Sequence, residues 1–173
     1  AKTSKTKLFS LIGLLPHGVY SMNPDKKGVE ASDNLAIIGL KEDKAELHLS
    51  IRSSKAIKIK EIQDKFEEIA EVVQANLTYS DGYPAWEYKE DSRLREIFQE
   101  LHQEVYGKEA EVLDIHAGLE CGLFAQKNPN LDMISFGPDI TGAHTTKEKV
   151  NIESVYRSYD FLLDLIRAVS RSR

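Results

Sequence analysis

The chain has 173 residues, 41% of them hydrophobic and 29% charged, which suits one globular domain or two small ones with an apolar core. A net charge of -5, with no basic stripe at either end, excludes a general binder of nucleic acid or of anionic membranes. The single cysteine excludes an internal disulfide framework and suits a reducing compartment, with the cytoplasm as the expected location. No apolar run reaches the roughly 18 residues of a membrane span, and Pro16 cuts the short apolar stretch before it, so that stretch is no signal peptide.

Residues 7–15 are apolar at 8, 9, 11, 12, 14 and 15, the spacing of a short helix that stops before Pro16. Segments 35–40 and 46–52 then read as extended, joined by the polar connection Lys41-Glu42-Asp43-Lys44. Leu47, Leu49 and Ile51 alternate with His48, Ser50 and Arg52, so this strand has one apolar and one polar face. Ile59, Ile62, Phe66, Ile69, Val72 and Val73 predict a helix over about 57–75. Leu77 and Tyr79 suggest a further strand, broken by Asp81-Gly82-Tyr83-Pro84.

In the second half, Asp91-Ser92 opens a helix carried by Leu94, Ile97, Phe98, Leu101 and Val105 and closed at Tyr106-Gly107. A strand over 112–115, a short helix over 119–127 and a strand over 133–136, with short connections, predict a parallel crossover unit. Ile152, Val155, Tyr159, Leu162, Ile166 and Val169 form a last amphipathic helix with Asn151 as N-cap, and Arg167, Arg171 and Arg173 complement its dipole. The composition shifts at "WEYKED" (86–91), which divides the chain into 1–88 and 89–173. The class is α+β.

Five histidines are present, at 17, 48, 102, 116 and 144. His102 reads as a surface residue of a helix, His48 as solvated, and His17 as structural in a turn after a proline. His116 and His144 each follow an expected strand at its carboxyl end, where ligands and catalytic groups of α/β sheets collect. A catalytic zinc needs about three protein ligands, and the sequence has no His-x-x-x-His, no His-x-Asp and no cysteine pair. Cys121, in the apolar "LECGLF", reads as an inert buried thiol rather than a nucleophile. Arg52 closes an alternating strand in "LSIRSS", where a guanidinium is either a surface charge or a two-pronged carboxylate anchor.

Three stretches taken together, "IHAGLECGLF" (115–124), "LDMISFGPDITGAHTTKEKVNIESV" (131–155) and "LPHGVYSM…VEASDNLAII" (15–38), resemble the C-terminal part of the bacterial aminoacyl-histidine dipeptidases, also called Xaa-His dipeptidases. These belong to the di-zinc peptidase clan of carnosinases and carboxypeptidase G. The resemblance implies a partial ferredoxin-like lid, an antiparallel sheet with helices over 1–88, followed over 89–173 by the C-terminal α/β segment of a zinc-peptidase catalytic domain. It implies that His144 is a metal ligand and that Arg52 holds the terminal carboxylate of a dipeptide substrate. It also implies that Gly118 lines the substrate pocket. With it come two zinc ions per active site in the parent protein and a homodimer formed through the lid. The remaining zinc ligands, the bridging aspartate and the general-base glutamate of such an enzyme match nothing in these 173 residues. The implied reading is therefore a fragment that is inactive alone. The alternative is a non-catalytic binding module built on the ferredoxin-like half.

Overall fold

The computed structural model describes residues 2–24, 28–42 and 44–172. In chain order the elements are α1 (Lys2–Leu14), β1 (Gly18–Met22), β2 (Val29–Leu40), β3 (Ala45–Ser53), α2 (Ala56–Val73), α3 (Arg93–Tyr106), α4 (Glu120–Lys127), β4 (Ile140–Thr141), β5 (Lys149–Val150) and α5 (Ile152–Arg171). The class is a mixture of α and β with antiparallel sheet. Two compact units result: one runs up to Tyr88 and takes in Leu113–Pro129, and the other joins Lys89–Val112 to the chain from Asn130 onward. Residues 113–129, which the sequence places with the second segment, thus pack in the first unit.

The first unit is an antiparallel sheet in the order β1-β2-β3 with helices. Alternation dictates the β2–β3 hairpin, whose register runs from Ala31↔Ser53 to Leu40↔Ala45 with a bulge between Leu35 and Ile37. Its connection closes through the Lys41 N–H on the Lys44 carbonyl at 2.8 Å; Asp43 lies outside the described residues, as does Arg173. Ala31 of β2 and the helically spaced pair Ile62 and Phe66 of α2 form the buried core, with Leu15, Tyr20, Leu49, Ile51 and Leu77 around it. Helix α2 lacks a side-chain cap from its own first turn, and Glu87 supplies one from afar, its Oε1 accepting from the Ala56 N–H at 3.0 Å.

Three expected strands are absent, and three unexpected ones, β1 and the two-residue β4 and β5, are present. Residues 77–79 join no ladder: Leu77 packs on the core, and the Tyr79 hydroxyl donates to the Gln63 carbonyl of α2 at 3.2 Å. Residues 112–115 and 133–136 likewise belong to no ladder, so the parallel crossover unit is not formed. A short apolar run becomes a strand only when a neighbouring backbone pairs with it, and residues 113–115 lie in a different unit from 133–136. The longest strand that sequence reasoning missed is β1, which pairs with β2 over Gly18↔Asp33 to Met22↔Val29 through irregular register.

In the second unit, α3 and α5 start where side-chain caps dictate. The Ser92 Oγ accepts from the Arg95 N–H at 3.1 Å, and the Asn151 side chain accepts from the Ser154 N–H at 3.1 Å. Helix α3 ends on Gly107, whose φ of 72° is the left-handed conformation that glycine reaches without penalty. Ile97, Phe161 and Leu165 are buried, and Phe98, Phe136, Tyr106 and His102 gather their rings around Phe161. His102 is therefore only partly exposed, not a free surface side chain. It stacks in an aromatic cluster and donates its Nδ1–H to the Lys108 carbonyl at 2.7 Å.

Candidate functional site

Arg52 is the penultimate residue of β3, opposite Ser32 in the ladder. Its backbone is fixed by the serines that follow. Ser53 is buried and donates its hydroxyl to the Glu30 carbonyl at 2.9 Å while accepting from the Lys55 N–H at 2.9 Å. The Ser54 N–H adds a second bond to the same Glu30 carbonyl at 3.1 Å. The alternating pattern turns the Arg52 side chain to the solvent face, where no ion pair or hydrogen bond with a described residue engages the guanidinium. An exposed guanidinium on a pinned strand end can receive an anion without first breaking an internal pair.

Two more sequence-designated residues share this unit. Gly118 is exposed, and His116 is half-buried. Burial, and after it the nearby Arg52 charge, lowers the His116 pKa below the usual imidazole value, so the ring is neutral near pH 7. Asp114, at the entry of the loop, accepts from Asn23 Nδ2 at 3.1 Å. The Cys121 thiol is pushed up by burial and then by Glu120, which disfavours the thiolate that nucleophilic chemistry requires.

His144 belongs to the second unit, in the connection between β4 and β5. Its φ of 63° is left-handed, a conformation that histidine tolerates better than most residues. The connection holds itself in place. The His144 N–H donates to Glu148 Oε2 at 2.8 Å, the Thr145 hydroxyl donates to the Gly142 carbonyl at 2.7 Å, and the Lys147 N–H donates back to that hydroxyl at 3.1 Å. At the hairpin base, the Asn151 N–H donates to the Asp139 carbonyl at 2.9 Å, and the Asp139 N–H to Ser154 Oγ at 2.9 Å. The imidazole is thus carried, exposed, on a hairpin tied to the N-terminus of α5. Among the described residues no group of three or more His, Cys, Asp and Glu side chains could hold a metal ion. One imidazole does not meet the requirement of a catalytic zinc for about three protein ligands.

Residues 13–168 match the family described as Peptidase family M20/M25/M40. The chain belongs to the M20 peptidase family. It is 31% identical over 167 residues to the cytosol non-specific dipeptidase of Escherichia coli strain K12, a match covering 96% of this chain and 34% of that protein. Among solved structures it resembles the aminoacylhistidine dipeptidase of Vibrio alginolyticus, with a TM-score of 0.81 and 33% identity over 97% of this chain and 34% of that one. The aminopeptidase PepT of Bacillus cereus shares the fold, with a TM-score of 0.72 at 16% identity over 95% of this chain and 45% of its own. The M20 chain described here therefore spans about a third of the length of the two dipeptidases it matches. No helix among its described residues is long and apolar enough to cross a membrane.

Sequence reasoning missed the residues that shape the Gly118 loop. A Cβ placed on Gly118 would stand 2.8 Å from Tyr83 Cβ and Cγ, and one on Gly122 would stand 2.3 Å from the Pro84 carbonyl oxygen. The only signal in the sequence is the turn composition of Asp81-Gly82-Tyr83-Pro84, which marks a break and not a contact.

Proposed function

We propose that this chain is the part of a cytoplasmic metal-dependent dipeptidase that grips the carboxylate end of the substrate and contributes one metal ligand. The observation that carries the reading is Arg52, an exposed guanidinium on a pinned strand end with no hydrogen bond or ion pair to a described residue. Paired hydrogen bonds from it to a terminal carboxylate would fix the far end of a dipeptide, and the Gly118 backbone would line the pocket beside it. His144 would be the metal ligand. The remaining ligands would come from the portion of the dipeptidases that this chain does not span. The proposed reaction of the whole protein is hydrolysis of Xaa-His-type dipeptides by zinc-activated water, with two zinc ions per site. The proposed homodimer uses the first unit, whose β3 pairs only with β2 among the described strands and whose Ile37, Ile38 and Leu40 are exposed.

The test is a zinc-supplemented assay on a histidine-containing dipeptide, run on the full-length gene product beside this chain. The full-length protein turns the substrate over. The chain alone does not, and loses added zinc on dialysis. Stoichiometric zinc and turnover by the chain alone would overturn the reading. In the full-length protein, Arg52→Lys weakens binding of a free dipeptide by about 1.5–3 kcal/mol and leaves a C-terminally amidated one unchanged. Equal losses on both substrates would make Arg52 structural.

A further inference from the structure

The stretch 81–87 has no regular secondary structure, yet it is fixed at several points. Glu87 accepts from the Ala56 N–H and reaches Lys55 Nζ at 3.6 Å, which ties it to the start of α2, four residues after Arg52. Pro84 sets its carbonyl against the buried Gly122 at the beginning of α4, in space that any side chain would fill. Between these ties, Tyr83 lies on Gly118 with Cβ, Cγ and Cδ2 all within 2.9 Å of where a Gly118 side chain would begin. Tyr83 keeps 52% of its surface exposed and makes no hydrogen bond with a described residue through its hydroxyl. Hydrophobic burial is therefore a weak account of the aromatic ring here. Its position accounts for more, because a flat, rigid side chain with only two side-chain torsions stands against an exposed glycine backbone.

We propose that Tyr83 is a positioning residue: its ring buttresses the Gly118 backbone and holds that loop at the height needed to receive the substrate. The inference rests on the dipeptidase reading, in which Gly118 lines the pocket. The buttress acts through carbon atoms alone, so the hydroxyl is dispensable and the ring is not. It acts on substrate placement rather than on the bond-breaking groups, so its loss falls on KM more than on kcat. The two glycines have separate duties: Gly122 admits Pro84, and Gly118 admits the ring.

The experiment compares Tyr83→Phe, Tyr83→Leu and Tyr83→Ala in the full-length protein, with kcat, KM and thermal melting measured for each on a free dipeptide. Tyr83→Phe matches the parent in all three. Tyr83→Ala raises KM about tenfold with kcat within about twofold and an unchanged melting temperature. Tyr83→Leu, which keeps Cβ and Cγ, falls between them and gives the same reading if the alanine variant does not fold. A parental KM in both Tyr83→Leu and Tyr83→Ala, with Arg52→Lys still selective for the free carboxylate, overturns the buttress and leaves the dipeptidase reading intact. So does a loss in kcat that tracks the melting temperature, the mark of a purely structural side chain. Absence of dipeptide turnover by the unmutated full-length protein overturns both.

Discussion

In the second unit the buried polar side chains Ser92 and Ser154 are both bonded at helix starts. Ser92 caps α3 and donates to Asp132 Oδ1 at 2.6 Å, and Ser154 donates to the Asn151 carbonyl at 2.6 Å while accepting from Asp139. In the first unit Asp33 is buried as deeply, with 1% of its surface exposed, and neither carboxyl oxygen has a hydrogen-bond partner of good geometry among the described residues. It sits in the central strand, opposite Gly18 on one side and Ile51 on the other. One unit uses its buried polarity to place helix ends. The other carries a carboxyl group whose burial is only partly compensated, and the two units should answer to pH in opposite directions.

The largest expected effect tests that contrast directly. Burial, only partly opposed by the Asn34 backbone and the His17 charge, raises the Asp33 pKa from 3.8 to about 6. A carboxyl whose folded pKa is raised favours folding while neutral. Its penalty is therefore absent below pH 4, grows between pH 4 and 6, and is complete above that. The first unit should lose on the order of 3 kcal/mol across this window. Denaturation followed by the fluorescence of Trp86, the single tryptophan, which lies in this unit, should show the slope, and Asp33→Asn should flatten it. A flat profile in the parent chain would erase the difference between the units.

A middle-sized effect concerns packing in the first unit. Alanine in place of Gly122 gains about 1 kcal/mol of helix propensity. Its Cβ, however, meets the Pro84 carbonyl at 2.3 Å, and overpacking against backbone costs about 1–3 kcal/mol. The clash should win, with a net loss of up to about 2 kcal/mol in the Trp86 transition. Gly13→Ala, where nothing lies within 4 Å, should show no such loss.

The smallest effect belongs to the second unit and runs opposite in pH. Burial alone would raise the Asp132 pKa, but the Leu94 N–H at 2.9 Å, the Ser92 hydroxyl, and the Lys89 and Arg95 charges outweigh it, and the value is lowered. The stabilisation is therefore present above the ordinary aspartate range and is lost as pH falls through the lowered value. Asp132→Asn should cost about 1 kcal/mol near neutral pH, read as faster amide exchange in α3 with β2 unaffected. Faster exchange in both would mean that the units do not respond separately.

Much of this was legible from residue order because it is local. Ser92 and Asn151 announce their helices by chemistry that acts within three residues, and the hairpin of β2 and β3 follows from alternation. What escaped depends on neighbours distant in sequence. The runs at 77–79, 112–115 and 133–136 have strand-like composition but no ladder. His102 entered an aromatic cluster that includes residues of another helix. The candidate site divides the same way. Arg52 and His144 stand out by type and place, whereas the contacts of Tyr83 with Gly118 and of Pro84 with Gly122 leave no periodic trace.

The route of the chain between units also bears on how the protein is made. Tyr88 leaves the first unit and Leu113 returns to it, so the His116–Gly122 stretch is synthesised only after all of α3. At roughly 5–20 residues per second, the sheet of Arg52 waits a few seconds on the ribosome for the loop that packs in the same unit. During that interval Tyr83 and Pro84 have nothing to rest on, and the exposed Ile37, Ile38 and Leu40 are already out. The first unit is thus begun early and completed only after α3 has been made, and a ribosome stalled between Tyr88 and Leu113 would present it without residues 113–129.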